Sequence, residues 1–233
     1  MYEELKKLEI DTTDEEKEKL SSFSALFLDY NTKVNLISKN DAALLFEKHI
    51  YDSLAYNLFL KKYNIIPQNM LDIGTGGGFP SIPISIFYKN TNIYAIDSIN
   101  KKINFIEYIK QRLILNNLFP ICTRAENLPD NNKGYYDIVV SRAMAELRII
   151  LEYSIPFLKK DGYFIAYKSI KADKEIINAQ NALKTLNAQI IDKIEYSLPL
   201  KDGNKRVLVI VKKLKETENR FPRRNGQIKN NPL

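Results

Sequence analysis

A glycine-rich run, DIGTGGGFP at residues 72–80, contains four of the eight glycines of the chain. The apolar residues before it predict a short buried strand. Pro80 favours the first turn of a helix, because its ring fixes φ and it has no N–H to leave unpaired. A glycine turn between a strand and a helix lets the backbone approach a ligand closely. The run therefore predicts a binding site at the carboxyl end of the strand, although a turn that only connects two elements would use similar residues.

The spacing of these residues narrows the choice of ligand. A dinucleotide fingerprint requires G-x-G-x-x-G, and counting from Gly74 its last glycine position is taken by the bulky Phe79. The pyrophosphate P-loop is not present either, because no lysine follows the glycines before Lys89. What remains is Asp-x-Gly-x-Gly-x-Gly, with glycines at Gly74, Gly76 and Gly78. This pattern resembles the S-adenosylmethionine (AdoMet) loop of class I methyltransferases, whose ligand has no phosphate for a P-loop lysine to bind.

Two later strand ends carry groups that can bind the same cofactor. Asp97 ends the second apolar run, about 20 residues after the turn, where a carboxylate can accept both ribose hydroxyls. The alternative for Asp97 is an N-cap of the helix that begins near Asn100. Ala125 and Glu126 follow the third strand, where backbone groups can meet the adenine edge with the Glu126 carboxylate close by. The alternative for that segment is a solvated loop.

The exit of the fourth strand, SRA at residues 141–143, bears on the methyl acceptor. Enzymes that methylate exocyclic amines usually carry an Asn/Asp-Pro-Pro-aromatic motif there, which this chain lacks. Enzymes that methylate a pyrimidine carbon need a nucleophilic cysteine, but Cys122 is predicted to be a buried, inert thiol. Arg142 can contact the cofactor carboxylate or a phosphate, or form a surface ion pair with Glu146. His49 is expected on a helix face rather than as a base, so no catalytic residue is assigned.

Alternating hydrophobic periods position these groups on strands and helices. The predicted strands are 69–73, 92–97, 119–123, 136–142, 161–168, 189–197 and 205–212. The predicted helices are 80–88, 100–116, 145–158 and 171–187. Too few residues join the last two strands for a helical crossover, so an antiparallel hairpin is expected. The pattern predicts an α/β domain over residues 64–213, with a mostly parallel, Rossmann-like sheet of the class I methyltransferase kind.

Residues 1–63 are predicted to form an N-terminal helical extension. Thr13 and Glu16 fit a capping box at the start of one helix. Residues 31–40 are predicted to break the helical pattern, and a second helical stretch is expected over residues 41–62. We interpret the extension as packed on the core beside the cofactor site, where it can shape the substrate entrance.

Composition limits the class of protein further. The 233 residues predict one large domain, or a domain with an extension. The 45% hydrophobic and 27% charged residues are ordinary for a soluble globular protein. No apolar run approaches the roughly 20 residues of a membrane span, and no signal peptide is expected. One histidine and one cysteine predict neither a disulfide framework nor a zinc site. We expect a cytoplasmic monomer that binds neither a metal nor a membrane.

The formal charge of +7 is concentrated near the C-terminus. Residues 201–233 hold 10 basic and 3 acidic side chains, while the remaining 25 of each sign cancel. The last 20 residues, 214–233, are predicted to be a basic tail without a further regular element. Arg220, Arg223 and Arg224 are candidates for RNA phosphate contacts. The alternatives are a solvated tail and a tail tied back over the cofactor site.

Longer stretches are similar to one family. The run LDIGTGGGFPSIP at residues 71–83 looks like the signature of ribosomal small-subunit methyltransferase G, also called glucose-inhibited division protein B. Four other stretches agree: NLI at 35–37, HxxDSL at 49–54, VSRA at 140–143 and RFPRRNG at 220–226. One residue departs from the pattern, since Ser81 stands where glycine is expected, and we expect little effect from it.

The resemblance implies transfer of the AdoMet methyl group to N7 of one guanine in 16S ribosomal RNA. The RNA partner would be 16S rRNA itself or an assembly intermediate of the small subunit. The resemblance also implies cofactor contacts at Gly74, Phe79, Ala125, Glu126 and Arg142. Guanine N7 carries a lone pair and no proton, so alignment rather than a general base is required.

Two other classes of function stay open. A methyltransferase acting on a small molecule would share the fold and the cofactor, but would leave the basic tail without a task. A non-catalytic RNA-binding protein would use the tail, but would not need the intact cofactor loop.

Overall fold

The computed structural model describes residues 2–233, which contain seven strands. The strands are β1 (Asn69–Ile73), β2 (Asn92–Asp97), β3 (Leu118–Cys122), β4 (Tyr136–Arg142), β5 (Leu158–Ser169), β6 (Ala188–Ser197) and β7 (Lys205–Lys213). The α-helices are α1 (Tyr2–Leu5), α2 (Asp14–Val34), α3 (Lys39–Ala42), α4 (Asp52–Leu54), α5 (Tyr56–Tyr63), α6 (Ser81–Phe87), α7 (Asn100–Leu113), α8 (Leu147–Ser154), α9 (Asp173–Asn178), α10 (Gln180–Thr185) and α11 (Asn225–Asn230).

The strands form one sheet in the order β3-β2-β1-β4-β5-β7-β6. Neighbours from β3 to β5 run parallel, whereas β7 is antiparallel to both β5 and β6. This arrangement confirms the predicted class I methyltransferase fold, including its antiparallel C-terminal hairpin. The strand order reverses direction at β1 and β4, so their carboxyl ends form the crevice where ligands bind in such sheets.

Helices cover both faces of the sheet. Side chains alternate along each strand, so neighbouring residues pack on opposite faces. Met70 and Ile138 belong to a hydrophobic cluster that includes residues of α2, α6 and α7. Their neighbours Leu71 and Val139 belong to a second cluster with residues of α8 and α10. The pattern explains why the central strands are apolar at nearly every position.

The N-terminal helices follow the predicted pattern with shorter breaks. Thr13 and Glu16 form the predicted capping box, in which the Glu16 N–H donates to Thr13 Oγ1 and the Thr13 N–H donates to Glu16 Oε2. Helix α2 continues to Val34, beyond the predicted start of the break at residue 31. The second helical stretch is divided, with a π-helical turn over Phe46–Tyr51 between α3 and α4.

Aromatic side chains join this N-terminal segment to the sheet domain. The rings of Phe23 and Phe27 lie 5.7 and 5.2 Å from the ring of Phe79, which follows the glycine turn. Phe27 also packs edge-on against Phe105 of α7. The glycine turn therefore rests on the N-terminal helices, while the boundaries at residues 63 and 213 stay predictions.

Further details differ from expectation, and one is that the predicted helix over residues 171–187 is divided into α9 and α10. Cys122 lies on β3, which is an edge strand, and its side chain is exposed, so the prediction of a buried thiol is wrong. The tail also contains a regular element, α11, contrary to prediction. Phe221 precedes that helix and Ile228 lies within it, and the two are buried at 1% and 0% exposure.

Within residues 2–233, no helix combines the length and the apolar character needed to span a bilayer.

Candidate active site

The glycine turn leaves β1 and folds back against the end of β2. Gly74, Gly76 and Gly78 have φ values of +77°, +58° and +86°, in the left-handed region that favours glycine. The N–H groups of Gly74 and Thr75 both donate to the Ile96 carbonyl, at 2.9 and 3.0 Å. The first half of the turn is thereby fixed at the carboxyl ends of β1 and β2.

The three glycines face different surroundings. A Cβ on Gly74 would lie 2.9 Å from Met144 Sδ, so Met144 covers the start of the turn. A Cβ on Gly78 would overlap Ile82 of α6, so this glycine serves the packing of turn and helix. A Cβ on Gly76 would meet only the Gly74 carbonyl, at 3.9 Å, which leaves the space around Gly76 open.

Asp97 connects the end of β2 to the turn. Its Oδ2 accepts from the Gly76 N–H at 3.1 Å and from Lys102 Nζ at 3.3 Å, and its Oδ1 accepts from the Ile99 N–H at 2.9 Å. Helix α7 has Ile99 at its N-cap position and no side-chain cap, so Asp97 is not its N-cap. A carboxylate offers about four lone-pair sites, so acceptor capacity remains for ribose hydroxyls.

A cavity of about 370 Å³ opens beside Asp97. Four of the predicted cofactor residues line it: Gly74, Asp97, Ala125 and Glu126. The sequence did not indicate several others, which include Thr123, Met144, Ile149, Tyr153, Asn225 and Lys229. The cavity places carboxylates, which can bind the ribose hydroxyls and the amine groups of AdoMet, beside apolar side chains. This combination of groups fits AdoMet.

The other predicted cofactor residues do not line this cavity. Gly76 is connected to this cavity only indirectly, because its N–H donates a hydrogen bond to Asp97, which lines the cavity. Gly78 packs on α6, and Phe79 is 3% exposed within the aromatic cluster of the N-terminal helices. Arg142 lines an adjoining cavity.

Arg142, at the end of β4, is held by the segment before β1. Its Nη1 donates to Asp52 Oδ2 and to the Lys48 carbonyl, both at 3.0 Å. The predicted alternative, an ion pair with Glu146, is wrong, because Glu146 pairs with Arg148 at 3.0 Å. The guanidinium is therefore positioned by residues far from it in the sequence.

His49 contributes to the same arrangement. Its Nδ1 lies 2.7 Å from Nη2 of Arg142, and because arginine only donates, Nδ1 must be the acceptor. Burial, followed by the charge of Arg142, lowers the pKa of His49 to about 4. The imidazole is therefore neutral at physiological pH, and its ring packs 5.0 Å from that of Phe79.

A second cavity, of about 360 Å³, adjoins the first. The two share Ala143, Met144 and Ala145, which follow β4. Ala143 has φ +52°, a strained conformation for a residue with a Cβ, and such strain is concentrated at functional sites. The segment after β4 therefore forms the partition between the cavities.

Charged side chains line the second cavity. The basic ones are Arg142, Lys168 and Arg206, and the acidic ones are Asp52 and Glu175. Lys168 Nζ donates to Glu175 Oε2 at 2.6 Å, and Arg206 Nε is buried without a hydrogen-bond partner among residues 2–233. The cavity thus offers donors as well as two carboxylates.

The family of the chain follows from comparison with known proteins. Residues 16–209 match the family described as GidB, rRNA small subunit methyltransferase G. The chain belongs to this family. The resemblance of its signature run and the assignment as an AdoMet-dependent methyltransferase are thereby confirmed.

The similarity to individual relatives covers nearly the whole length of this GidB-family enzyme. The Ribosomal RNA small subunit methyltransferase G of Streptococcus agalactiae serotype V is 39% identical over 227 residues, which are 96% of this chain and 94% of the relative. The protein of the same name from Streptococcus pneumoniae serotype 19F is 36% identical over 237 residues, covering 100% and 98%. A crystal structure of a SAM dependent methyltransferase from Aquifex aeolicus has a TM-score of 0.51 at 17% identity, over 67% of this chain and 88% of that one, and supports the fold alone.

Ser81, which stands where glycine was expected from the sequence, makes a buried contact. Its Oγ donates to Asp72 Oδ2 at 2.7 Å, and both residues are 0% exposed. Burial raises the pKa of Asp72 to about 7, and the hydrogen bond from Ser81 opposes that shift. Ser81 therefore supports the carboxylate at the start of the glycine turn, a contact that the sequence did not reveal.

The three tail arginines of the GidB-family chain differ in availability. Arg223 donates from Nε and Nη2 to the carboxylate of Glu152, at 2.7 and 2.6 Å, so its guanidinium is already occupied. Arg220 is exposed and pairs with Glu218 at 3.0 Å, and Arg224 is exposed. The expectation of RNA contacts therefore depends on Arg220 and Arg224, while Arg223 ties the tail to α8.

Proposed function

We propose that this enzyme transfers the methyl group of AdoMet to N7 of a guanine in 16S ribosomal RNA. The observation that carries the proposal is the pair of cavities that meet at Ala143, Met144 and Ala145. The cavity beside Asp97 suits the cofactor, and the cavity beside Arg142 suits the acceptor base. Bound AdoMet supplies an electrophilic methyl group on a sulfonium. Adjacent cavities contribute by holding the two partners close and aligned.

The side chains of the second cavity match the edges of guanine. The Hoogsteen edge presents two acceptors, N7 and O6, and Arg142, Lys168 and Arg206 offer donors that can bind O6. The opposite edge of the base presents N–H donors. Oε1 of Glu175 can accept from them, because the bonds to Lys168 and to the Leu147 N–H both use Oε2. Such contacts would leave N7 free for methylation.

No residue is required as a general base. Guanine N7 has no proton to lose, so the chain needs to orient the base and exclude water. His49 fits this view, because its Nδ1 is occupied by Arg142 and its pKa of about 4 reflects burial and that charge. We infer that His49 and Asp52 position Arg142, and that no side chain removes a proton.

The RNA partner is supported by charge and by the names of the relatives. The relatives are named for the small-subunit ribosomal RNA, and residues 201–233 hold 10 basic against 3 acidic side chains. We propose that exposed Arg220 and Arg224 contact phosphates, and that the enzyme acts as a monomer on 16S rRNA or a small-subunit assembly intermediate. Residues 1–63 border the acceptor cavity through Asp52, and we propose that they influence substrate choice.

Methyl transfer from labelled AdoMet to three substrates tests the proposal. The substrates are small subunits lacking the modification, naked 16S rRNA and a mixture of small metabolites. We expect label in RNA, recovered as N7-methylguanosine by nucleoside mass spectrometry. Arg142→Ala should lose this activity, whereas Lys215→Ala, which changes an exposed side chain after β7, should keep it.

The other two classes of function give different results. Label in metabolites but not in RNA would favour a small-molecule methyltransferase. Binding of RNA without any transfer, by protein that binds AdoMet, would favour a non-catalytic RNA-binding protein.

A further inference from the structure

The C-terminal residues 221–230, which we term the C-terminal strap, lie against α8 rather than in solvent. Phe221 and Ile228 are 1% and 0% exposed and belong to the hydrophobic cluster that contains Leu147 and Leu151 of α8. An exposed tail would not bury two large apolar side chains, because each gains free energy by leaving water. The strap is therefore an integral part of the folded domain.

A buried ion pair fixes the strap near its start. Glu152 on α8 is 0% exposed, and its carboxylate accepts from the backbone N–H, Nε and Nη2 of Arg223 at 3.0, 2.7 and 2.6 Å. A buried carboxylate is costly unless it is paired and hydrogen-bonded. Glu152 therefore requires Arg223 at this place, which sets the position of the residues that follow.

The residues that follow reach the cofactor cavity. Asn225 Oδ1 accepts from the hydroxyl of Tyr153 at 2.7 Å, and Tyr153, Asn225 and Lys229 all line that cavity. Tyr153 lines this cavity together with Ala125 and Glu126, and burial, followed by the charge of Glu126, raises the pKa of Tyr153 to about 12. The strap thus closes the end of the cavity at Ala125 and Glu126, where the adenine is expected.

Donors on the strap complement the acceptors on the opposite wall. The cavity's other cations are already engaged, since Lys102 pairs with Asp97 at 3.3 Å and Arg124 with Glu126 at 3.9 Å. Among residues 2–233, no carboxylate forms an ion pair with Lys229. The amide nitrogen of Asn225 can also donate, because Tyr153 occupies its oxygen. The ring nitrogens of adenine are acceptors that these two donors can satisfy.

We propose that the C-terminal strap is a wall of the AdoMet site, and that Asn225 and Lys229 donate hydrogen bonds to the adenosine part of the ligand. The inference rests on the proposed function, because it assumes that AdoMet occupies the cavity beside Asp97. The contacts involve adenosine alone, so AdoMet and S-adenosylhomocysteine should depend on them equally.

Calorimetric titration of the full chain with AdoMet and with S-adenosylhomocysteine tests the proposal. Asn225→Ala and Lys229→Ala should each weaken both ligands by the same factor, about two- to tenfold for one lost hydrogen bond. The matched controls are Asn230→Ala, an exposed residue of the same helix, and Lys215→Ala. Both controls should bind within about twofold of the wild type.

A second measurement avoids substitutions. Trypsin cuts after Arg224 and Lys229, and either ligand should slow these cuts in the wild-type protein by holding the strap in place. Affinities of both strap variants within twofold of the wild type, or cleavage rates unaffected by ligand, would overturn the inference while AdoMet binding itself stands. A wild-type protein that binds no AdoMet would instead overturn the proposed function, and the inference with it.

Discussion

Asp97 joins the glycine turn to the cavity at the end of β2, so Asp97→Ala should affect both. The carboxylate has two tasks in the structure that a shorter side chain cannot perform. It holds the glycine turn through the Gly76 N–H at 3.1 Å, and it lines the cavity at 8% exposure. We expect weaker AdoMet binding from the loss of both.

The size of the effect follows from the kind of hydrogen bond that is lost. Bonds to a charged partner contribute about 1.5–3 kcal/mol, which corresponds to a roughly ten- to hundredfold loss of affinity. Lys102→Ala serves as the comparison, because it removes a partly exposed ion pair at 3.3 Å but keeps the carboxylate. Exposed ion pairs contribute about 0–1 kcal/mol, so Lys102→Ala should change the affinity by less than about fivefold.

Calorimetry separates the two tasks of Asp97 if the ligand is varied as well. Wild-type protein should bind S-adenosylhomocysteine more tightly than its 2′-deoxy analogue, and Asp97→Ala should bind the two alike. A variant that loses affinity but keeps the discrimination would show that Asp97 only supports the turn. A change in AdoMet affinity of less than twofold would refute both parts of the reasoning.

Three further substitutions test other parts of the site. Asp72→Asn removes a carboxyl whose pKa of about 7 lies above its unfolded value of about 3.9. The folded wild type then binds more protons than the unfolded chain, so its stability falls as pH rises from about 4 to about 7. The free energy of unfolding of the variant minus that of the wild type should therefore rise by up to about 1.4 kcal/mol per pH unit in that window. Denaturant titrations at several pH values measure this difference, and a difference that does not change with pH would contradict the prediction. Gly76→Val should weaken AdoMet binding measured by calorimetry, because straining the turn disturbs the N–H that holds the Asp97 carboxylate. It should also lower the free energy of unfolding by about 1–2 kcal/mol, since φ is +58° there. Unchanged affinity would show that this contact does not shape the cofactor site. Asp52→Asn should slow methyl transfer, because Arg142 loses its ion pair and lines the cavity proposed for the acceptor. The AdoMet affinity should stay within about twofold of the wild type. An unaltered transfer rate would show that Arg142 needs no such partner.

Local patterns in the sequence were sufficient to predict the fold. The strand–turn–helix unit at residues 69–87 and the alternation that follows it depend on neighbours in the chain, and periodicity records such neighbours directly. The same holds for Thr13 and Glu16, whose capping box needs only a spacing of three residues. The short connection before residue 205 was likewise enough to predict the hairpin.

Contacts between distant parts of the chain were not predictable in this way. Arg142 pairs with Asp52, 90 residues earlier, and Arg223 pairs with Glu152, 71 residues earlier. A nearby residue such as Glu146 is the only partner that spacing can suggest for Arg142, and that expectation was wrong. Cys122 was misplaced for a related reason, because an apolar segment does not indicate that β3 is an edge strand.

The candidate site was predictable in part for the same reason. Gly74, Asp97, Ala125 and Glu126 stand at strand ends, which a parallel sheet brings to one edge, and they line one cavity. Asn225 and Lys229 come from a tail with no strand pattern, so their arrival at that cavity depends on anchors elsewhere.

Mass mapping of 16S rRNA tests whether this enzyme methylates one guanine at N7. The RNA would be taken from cells that lack this protein and from the same cells supplied with it. Fragments would then be compared by mass, with chemical cleavage at N7-methylguanosine to locate the position. We predict a single guanine that carries the N7-methyl group only when the protein is present. Identical fragment masses in the two RNAs, with the protein produced and able to bind AdoMet, would contradict the claim.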